Sequence, residues 1–224
     1  MKRLAFVLAL LIATTPLAAA PRPYHLELEA SPAAPFPFLS KFGKVTLHVY
    51  ASGVRAETFW LNGFSRAGTR AVTVENPYGR MYTDVPITEI GSILRKLSTS
   101  GIQAAAPTAG PVIGGKVRGV DAYRHRLMYG PAAWIDVWTT NTLGENKQLR
   151  TIVEEFVRGL NPATAEAIKS IPGVPVYVEL NFRHYQKLPL LRLKELKFDN
   201  SGEADALKVG TLYFKAPLLD SIWK

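Results

Sequence analysis

Cysteine is absent from the sequence. That excludes thiol nucleophiles, cysteine-ligated zinc, disulfide staples and a lipidated N-terminal cysteine. Histidine is scarce: His25, His48, His125 and His184 lie far apart, with no HExxH or HxH spacing, so no metal site is expected. No GxSxG elbow occurs, and Gly79 and the Gly114-Gly115 pair read as turns rather than phosphate cradles. No cofactor and no catalytic residue is therefore expected. Long apolar runs are missing as well. The one uncharged stretch near the start, Leu4 to Ala13, is about half of the roughly 20 residues that a spanning helix needs.

That short run has a specific setting. Met1-Lys2-Arg3 precedes it, and Thr14-Thr15-Pro16-Leu17-Ala18-Ala19-Ala20 follows. A basic start, an apolar middle and a small-residue end make residues 1–20 a secretory signal peptide, so the mature chain is expected in the periplasm or secreted. Cleavage is expected after Ala18 or Ala19. The formal charge of +9 falls to +7 once Lys2 and Arg3 are removed. Such a balance suits contact with anionic membrane surfaces. The basic residues form no run of five or six, which reads as solvated strand faces, and an exported chain is not expected to meet nucleic acid. Just over two hundred mature residues can bury roughly 70% of their unfolded surface, enough for a core without staples.

Residues 21–40 hold Pro21, Pro23, Pro32, Pro35 and Pro37 and read as an extended arm, with Tyr24 to Glu29 as one short edge strand. A single domain is expected over 41–224. Lys44 to Tyr50 alternates, with Val45, Leu47 and Val49 on one face. Val54 to Leu61, Arg70 to Glu75 and Arg80 to Val85 follow as strands, with Asn62-Gly63 as a hairpin signal. Ile90, Ile93, Leu94 and Leu97 fall at helical spacing and predict a helix near 88–97; 98–110 reads as a loop. Strands return over Val120 to Met128 and Ala132 to Thr140. A stripe of Leu149, Ile152, Val153, Phe156, Val157 and Leu160 then predicts a helix over 146–160. Asn161-Pro162 stops it and opens a second helix to Ile171. Val174 to Phe182 and Leu190 to Asp199 alternate again, with a bulge near Glu195. Helices interrupt the strands rather than alternate with them. The fold class is therefore α+β, mainly antiparallel β: a curled half-barrel sheet with short helices packed on its concave face.

Four short segments carry a resemblance: Gly53-x-Arg55-x-Glu57, Gly79-Arg80-Met81-Tyr82, Gly119-Val120-x-Ala122-Tyr123 and Trp134-Ile135-Asp136-Val137-Trp138. With the strand order, they resemble an uncharacterised bacterial envelope family whose sheet is similar to that of the outer-membrane lipoprotein carriers (LolA-like). The resemblance spans about residues 40 to 215. It implies an open half-barrel whose apolar concave face, covered by helices, holds acyl chains. Arg55 lies on an early strand comparable to the one carrying the carriers' cavity arginine.

The function expected is a non-enzymatic binding protein for a lipid, acyl chain or lipid-modified protein, with Leu47, Val49, Trp60, Ile93, Leu94, Ile152 and Phe156 lining the cavity. A polar site is expected from Arg55, Asp136, Trp134 and Trp138. Asp136 between two indoles resembles a sugar-binding arrangement, but reads more simply as the cross-strand partner of Arg124 or Arg126. The alternatives are an envelope protein–protein interaction module without a ligand and, last, a glycan-active enzyme centred on Asp136.

Overall fold

The computed structural model describes residues 22–31, 43–97, 106–184, 187–199 and 202–217. Residues 1–20, expected as a signal peptide, residues 32–40 of the expected arm and most of the expected loop over 98–110 lie outside the described residues.

The strands are β1 Tyr24–Ala30, β2 Lys44–Tyr50, β3 Gly53–Glu57, β4 Asn62–Arg66, β5 Ala71–Asn76, β6 Met81–Pro86, β7 Thr108–Ala109, β8 Ile113–Val117, β9 Val120–Met128, β10 Ala133–Thr140, β11 Val174–Phe182, β12 Leu188–Lys197 and β13 Phe214–Lys215. The helices are α1 Ile87–Leu97, α2 Lys147–Leu160, α3 Pro162–Ile168 and the short α4 Glu203–Ala206. All thirteen strands form one unclosed sheet in the order β13-β6-β5-β4-β3-β2-β1-β12-β11-β10-β9-β7, with β8 also on β9. Every pairing is antiparallel except β13 with β6. No helix among the described residues is long and apolar enough to cross a membrane.

The main departure from the sequence reading is β1. The expected edge strand in a proline arm is the centre of the sheet, between β2 and β12. Pro23 and Pro32 bound the segment rather than interrupt it, which leaves seven residues free to donate on both sides. Their alternation is strict: Tyr24, Leu26, Leu28 and Ala30 are buried, and the residues between them half-buried. Register carries this face across the sheet. Tyr24, Leu26 and Leu28 oppose Val49, Leu47 and Val45 on one side; Leu26 and Leu28 oppose Leu196 and Leu193 on the other.

Three register shifts bend the middle strands. Lys194 is extra where Glu27 and Leu28 pair with Glu195 and Leu193, the bulge the sequence suggested. Val176 is extra opposite Trp138–Thr139, and Leu190 opposite Val178–Glu179. A bulge adds local twist and bend to the strand that carries it.

The helices cover the Val45–Leu47–Val49 face. Leu149 joins Tyr24, Leu26, Val49, Val54, Leu143 and Val176 in the main core, and Ala167 and Ile168 pack on Leu127, Val137 and Ile171 in a second cluster. Asn146 caps α2, accepting from the Leu149 N–H at 2.9 Å while its amide donates to the Tyr50 carbonyl at 3.1 Å. Asn161 ends α2 and caps α3, accepting from the Thr164 N–H at 3.1 Å, with Pro162 in the first turn.

Helices α1 and α2 pack on each other more extensively than on any strand. Their backbones meet closely at Gly91 and Gly159. A Cβ built on Gly159 would lie 2.4 Å from the Gly91 Cα and 2.6 Å from its carbonyl oxygen. Both glycines sit inside helices, where each costs about 1 kcal/mol against alanine. The contact between backbones is the reason they are there.

Candidate functional site

The sheet presents two chemically different faces, and the site residues expected from sequence divide between them.

On the helix-covered face the aliphatic side chains are unevenly buried. Val49 is 1% exposed and belongs to the packed core, so it lines no open space. Toward the strand starts and toward β5, Val45, Leu47, Val72 and Val74 stay half-buried. On the helices Ile90, Ile93, Ile152, Phe156 and Val157 are half-buried too. Leu94 lies on α1, but its side chain is outside the described residues.

Trp60 is on neither face. The strand expected over 54–61 stops at Glu57, because Thr58 closes a turn: its N–H donates to the Leu61 carbonyl at 3.0 Å, and its hydroxyl accepts from the Leu61 N–H at 3.0 Å. Asn62 and Gly63 are consequently inside β4 rather than at a hairpin tip. Phe59 and Trp60 project from this turn and meet Tyr78 from the β5–β6 turn, with ring centroids 5.0, 5.7 and 6.0 Å apart. All three are more than half exposed. The apolar pattern runs on past Glu57, so the sequence alone predicts Phe59 and Trp60 as strand residues.

The opposite face is polar. Arg55 alternates with Val54 and Ala56, so it points away from the helices and does not reach the covered face. Its side chain is 13% exposed and donates to Glu57 at 2.7 Å, to the Glu75 carboxylate at 3.1 Å and to the Ala206 carbonyl at 3.1 Å. Its guanidinium carbon stands 5.9 Å from the centre of the Phe64 ring. His48 and His25 follow it across the sheet in register. Their rings meet edge to face at 4.3 Å. The segment around α4 roofs this row: Ser52 Oγ donates to Glu203 at 2.6 Å, and Arg66 donates to the Leu207 carbonyl at 3.0 and 3.2 Å. A groove of about 470 Å³ remains between roof and sheet, lined by His25, His48, Tyr50, Arg55, Glu57 and Glu75 with residues of the roof.

Charge is tuned along this groove. The His48 ring, 3.4 Å away, and the Arg55 guanidinium hold the Glu57 carboxyl down at about 2. The His48 contact is off-axis for a hydrogen bond, so the Arg55 bond is the firmer of the two. Burial pushes Glu75 above the ordinary carboxylate range, with Arg55 opposing. Burial and the neighbouring His48 lower His25, and burial alone lowers His125.

A lowered histidine is neutral in the fold but protonates more readily in the unfolded chain. Stability therefore falls as pH drops from above 6.5 toward the folded values. The depressed Glu57 adds its own loss only below pH 4.5, down to about 2. The urea midpoint is expected to be lower at about pH 5 than at about pH 7.5, and the gap to narrow in the His25→Gln/His125→Gln double variant. Equal midpoints in the native chain would contradict the two histidine environments.

Asp136, expected beside two indoles, is 3% exposed and paired: Arg126 donates to its two carboxylate oxygens at 2.7 and 2.9 Å. The same guanidinium lies 4.9 Å from the centre of the Trp134 ring. This is the cross-strand partnership set by the Asp136–Arg126 register. A carboxylate locked bidentately offers no free base, so the geometry gives no support to acid–base chemistry at Asp136. Trp138, two residues on, shares its face. Among the described residues no group of three or more His, Asp or Glu is placed to hold a metal ion.

No known protein family matches the sequence, and no curated protein does. Among solved structures, the crystal structure of an uncharacterised conserved protein from Thermus thermophilus is similar with a TM-score of 0.45 and 9% identity, over 94% of this chain and 98% of that one.

Proposed function

We propose that the mature chain is an exported, non-enzymatic binding protein that holds an acyl chain, of a lipid or of a lipid-modified protein, between the α1–α2 pair and the sheet. The observation that carries this reading is the aliphatic surface left half-buried on the helix-covered side: Val72 and Val74 on the strands, and Ile93, Ile152 and Phe156 on the helices, beside Val45 and Leu47, which pack against the main core. Side chains left between buried and exposed gain about 25 cal/mol per Å² when an apolar ligand completes their burial. The α1–α2 pair is held together by its own glycine contact and touches the sheet mainly through β3 and β6. The exposed Phe59–Trp60–Tyr78 cluster on a basic chain favours contact with a membrane surface, where rings that are apolar at one end and polar at the other are at home.

The test is mass spectrometry of solvent extracts from the native protein, with uptake of a fluorescent fatty acid by the delipidated protein. Co-extracted lipid and saturable uptake are expected, with Phe156→Glu weakening uptake at least tenfold while the native circular dichroism is kept. A native protein that extracts clean and takes up no fatty acid overturns the reading.

A further inference from the structure

The face of β9–β11 that α3 does not cover carries a second groove, of about 300 Å³, lined by Lys116, Val117, Arg124, Asp136, Trp138, Tyr177, Glu179 and Lys187. Register builds it. Trp138 stands opposite Arg124 on β9 and Tyr177 on β11, and Tyr177 opposite Arg192 on β12, so two aromatic rings lie between two arginines in one row. Gly115 makes room for the wall: a Cβ there would lie 2.9 Å from the Trp138 ring.

The charges in this groove are not balanced alike. Asp136 is taken up by Arg126. Glu179 accepts from the Tyr177 hydroxyl at 2.7 Å and has Lys187 at 3.9 Å. Lys116 faces Asp121 across the turn at 3.5 Å, with both side chains well exposed. Of the charged residues lining the groove, Arg124 alone has no carboxylate partner among the described residues. It is half-buried, it makes no side-chain hydrogen bond among the described residues, and its Nε is shut off from solvent without an acceptor. A guanidinium carries five N–H donors and no acceptor. A buried donor without a partner is costly, and a bound acceptor recovers that cost. Lys116, Arg124, Lys187 and Arg126 also outnumber Asp136, Glu179 and Asp121, so a further anion is accepted electrostatically.

We infer that this groove is a binding site for an oxyanion, a phosphate or a carboxylate, taken by the Arg124 guanidinium. Lys116 and Lys187 stand at its mouth, and the Trp138 and Tyr177 rings form a wall against which the rest of the ligand stacks. The inference is independent of the acyl-chain reading, because the groove lies on the sheet face away from the α1–α2 seam.

The experiment is a titration of the full mature chain followed by the arginine Nε–H and indole N–H signals in ¹H–¹⁵N spectra. Three probes are used: inorganic phosphate, glucuronate, and phosphatidylcholine vesicles with and without phosphatidylglycerol. Saturable shifts of the Arg124 Nε–H and Trp138 indole signals are expected with at least one probe, and the probe that saturates identifies the source as free phosphate, an acidic sugar or a lipid headgroup. Arg124→Met is expected to weaken that binding at least tenfold and Lys187→Gln about threefold, with the remaining spectrum unchanged. Arg124→Lys, which keeps charge without the planar fork, guards against a folding defect and is expected to retain part of the affinity. Saturation by none of the probes, or unchanged binding in Arg124→Met, overturns the site.

Discussion

Gly159→Ala is expected to destabilise the protein by about 2–3 kcal/mol, the upper part of the range for forced overpacking. The sign is what makes the result informative. In an ordinary helix interior the same change stabilises by about 1 kcal/mol. Here the added methyl would sit 2.4 Å from the Gly91 Cα, and neither partner is a side chain that can rotate aside. Relief requires α1 and α2 to separate, which also pulls Leu149 away from Val49 and Val54 in the main core. Gly91→Ala meets Gly159 backbone atoms at 3.1 Å and the Glu155 carbonyl oxygen at 3.2 Å, a milder conflict, and is expected to cost less. Urea denaturation of the two variants measures the order. A midpoint for Gly159→Ala equal to or above the native one would show that the helices do not meet at this point.

Arg55→Met has the larger expected effect, about 3–5 kcal/mol, because it removes one partner of a buried ion pair and leaves the other. Glu75 is 2% exposed and has Arg55 as its ionic partner at 3.1 Å. Against a whole-domain stability of about 5–15 kcal/mol, such a loss is close to unfolding. The pH dependence gives a second reading of the same change. Burial already raises Glu75, and loss of Arg55 raises it further. A raised carboxyl binds its proton more readily in the fold than in the unfolded chain, so its penalty grows as pH rises above the ordinary range and shrinks as pH falls. The Arg55→Met deficit is therefore expected to be smaller at about pH 4.5 than at about pH 7. The Arg55→Met/Glu75→Gln double variant is expected to recover a large part of it at neutral pH. A deficit independent of pH, with no recovery in the double variant, would place the cost in lost packing over Phe64 rather than in the orphaned carboxylate.

Much of the fold was legible wherever a single pattern decides the answer. The alternation of Val45, Leu47 and Val49, the stripe from Leu149 to Val157 and the Asn161-Pro162 stop all became the elements they predicted. The cross-strand partner of Asp136 was also legible, because one of the two arginines named for it on the neighbouring strand is the one that binds it. The sequence reading failed where long-range pairing overrides local character. Nothing in Tyr24 to Ala30 announces that Leu188–Lys197 will lie beside it. The Arg55 cluster joins residues 25, 48, 57 and 75 with a carbonyl at 206, a constellation no spacing rule collects. Trp60 was misplaced because a threonine side chain ended the strand before the hydrophobic pattern did. The signal passed over was glycine: Gly91 and Gly159, each within a strongly periodic helix, marked the helix crossing.

The position of β1 governs the order in which this protein can be made. The strand is synthesised before both of its neighbours, and one of them, β12, is more than 150 residues away in the chain. Until Leu188–Lys197 has been synthesised, Tyr24, Leu26 and Leu28 have only β2 to pair with, and the sheet is half a sheet with an apolar open margin. Contacts of such sequence separation form slowly, and the waiting chain is prone to self-association. A chain built in this way gains from being kept unfolded until its last strands are available, and from completing its central pairing only then.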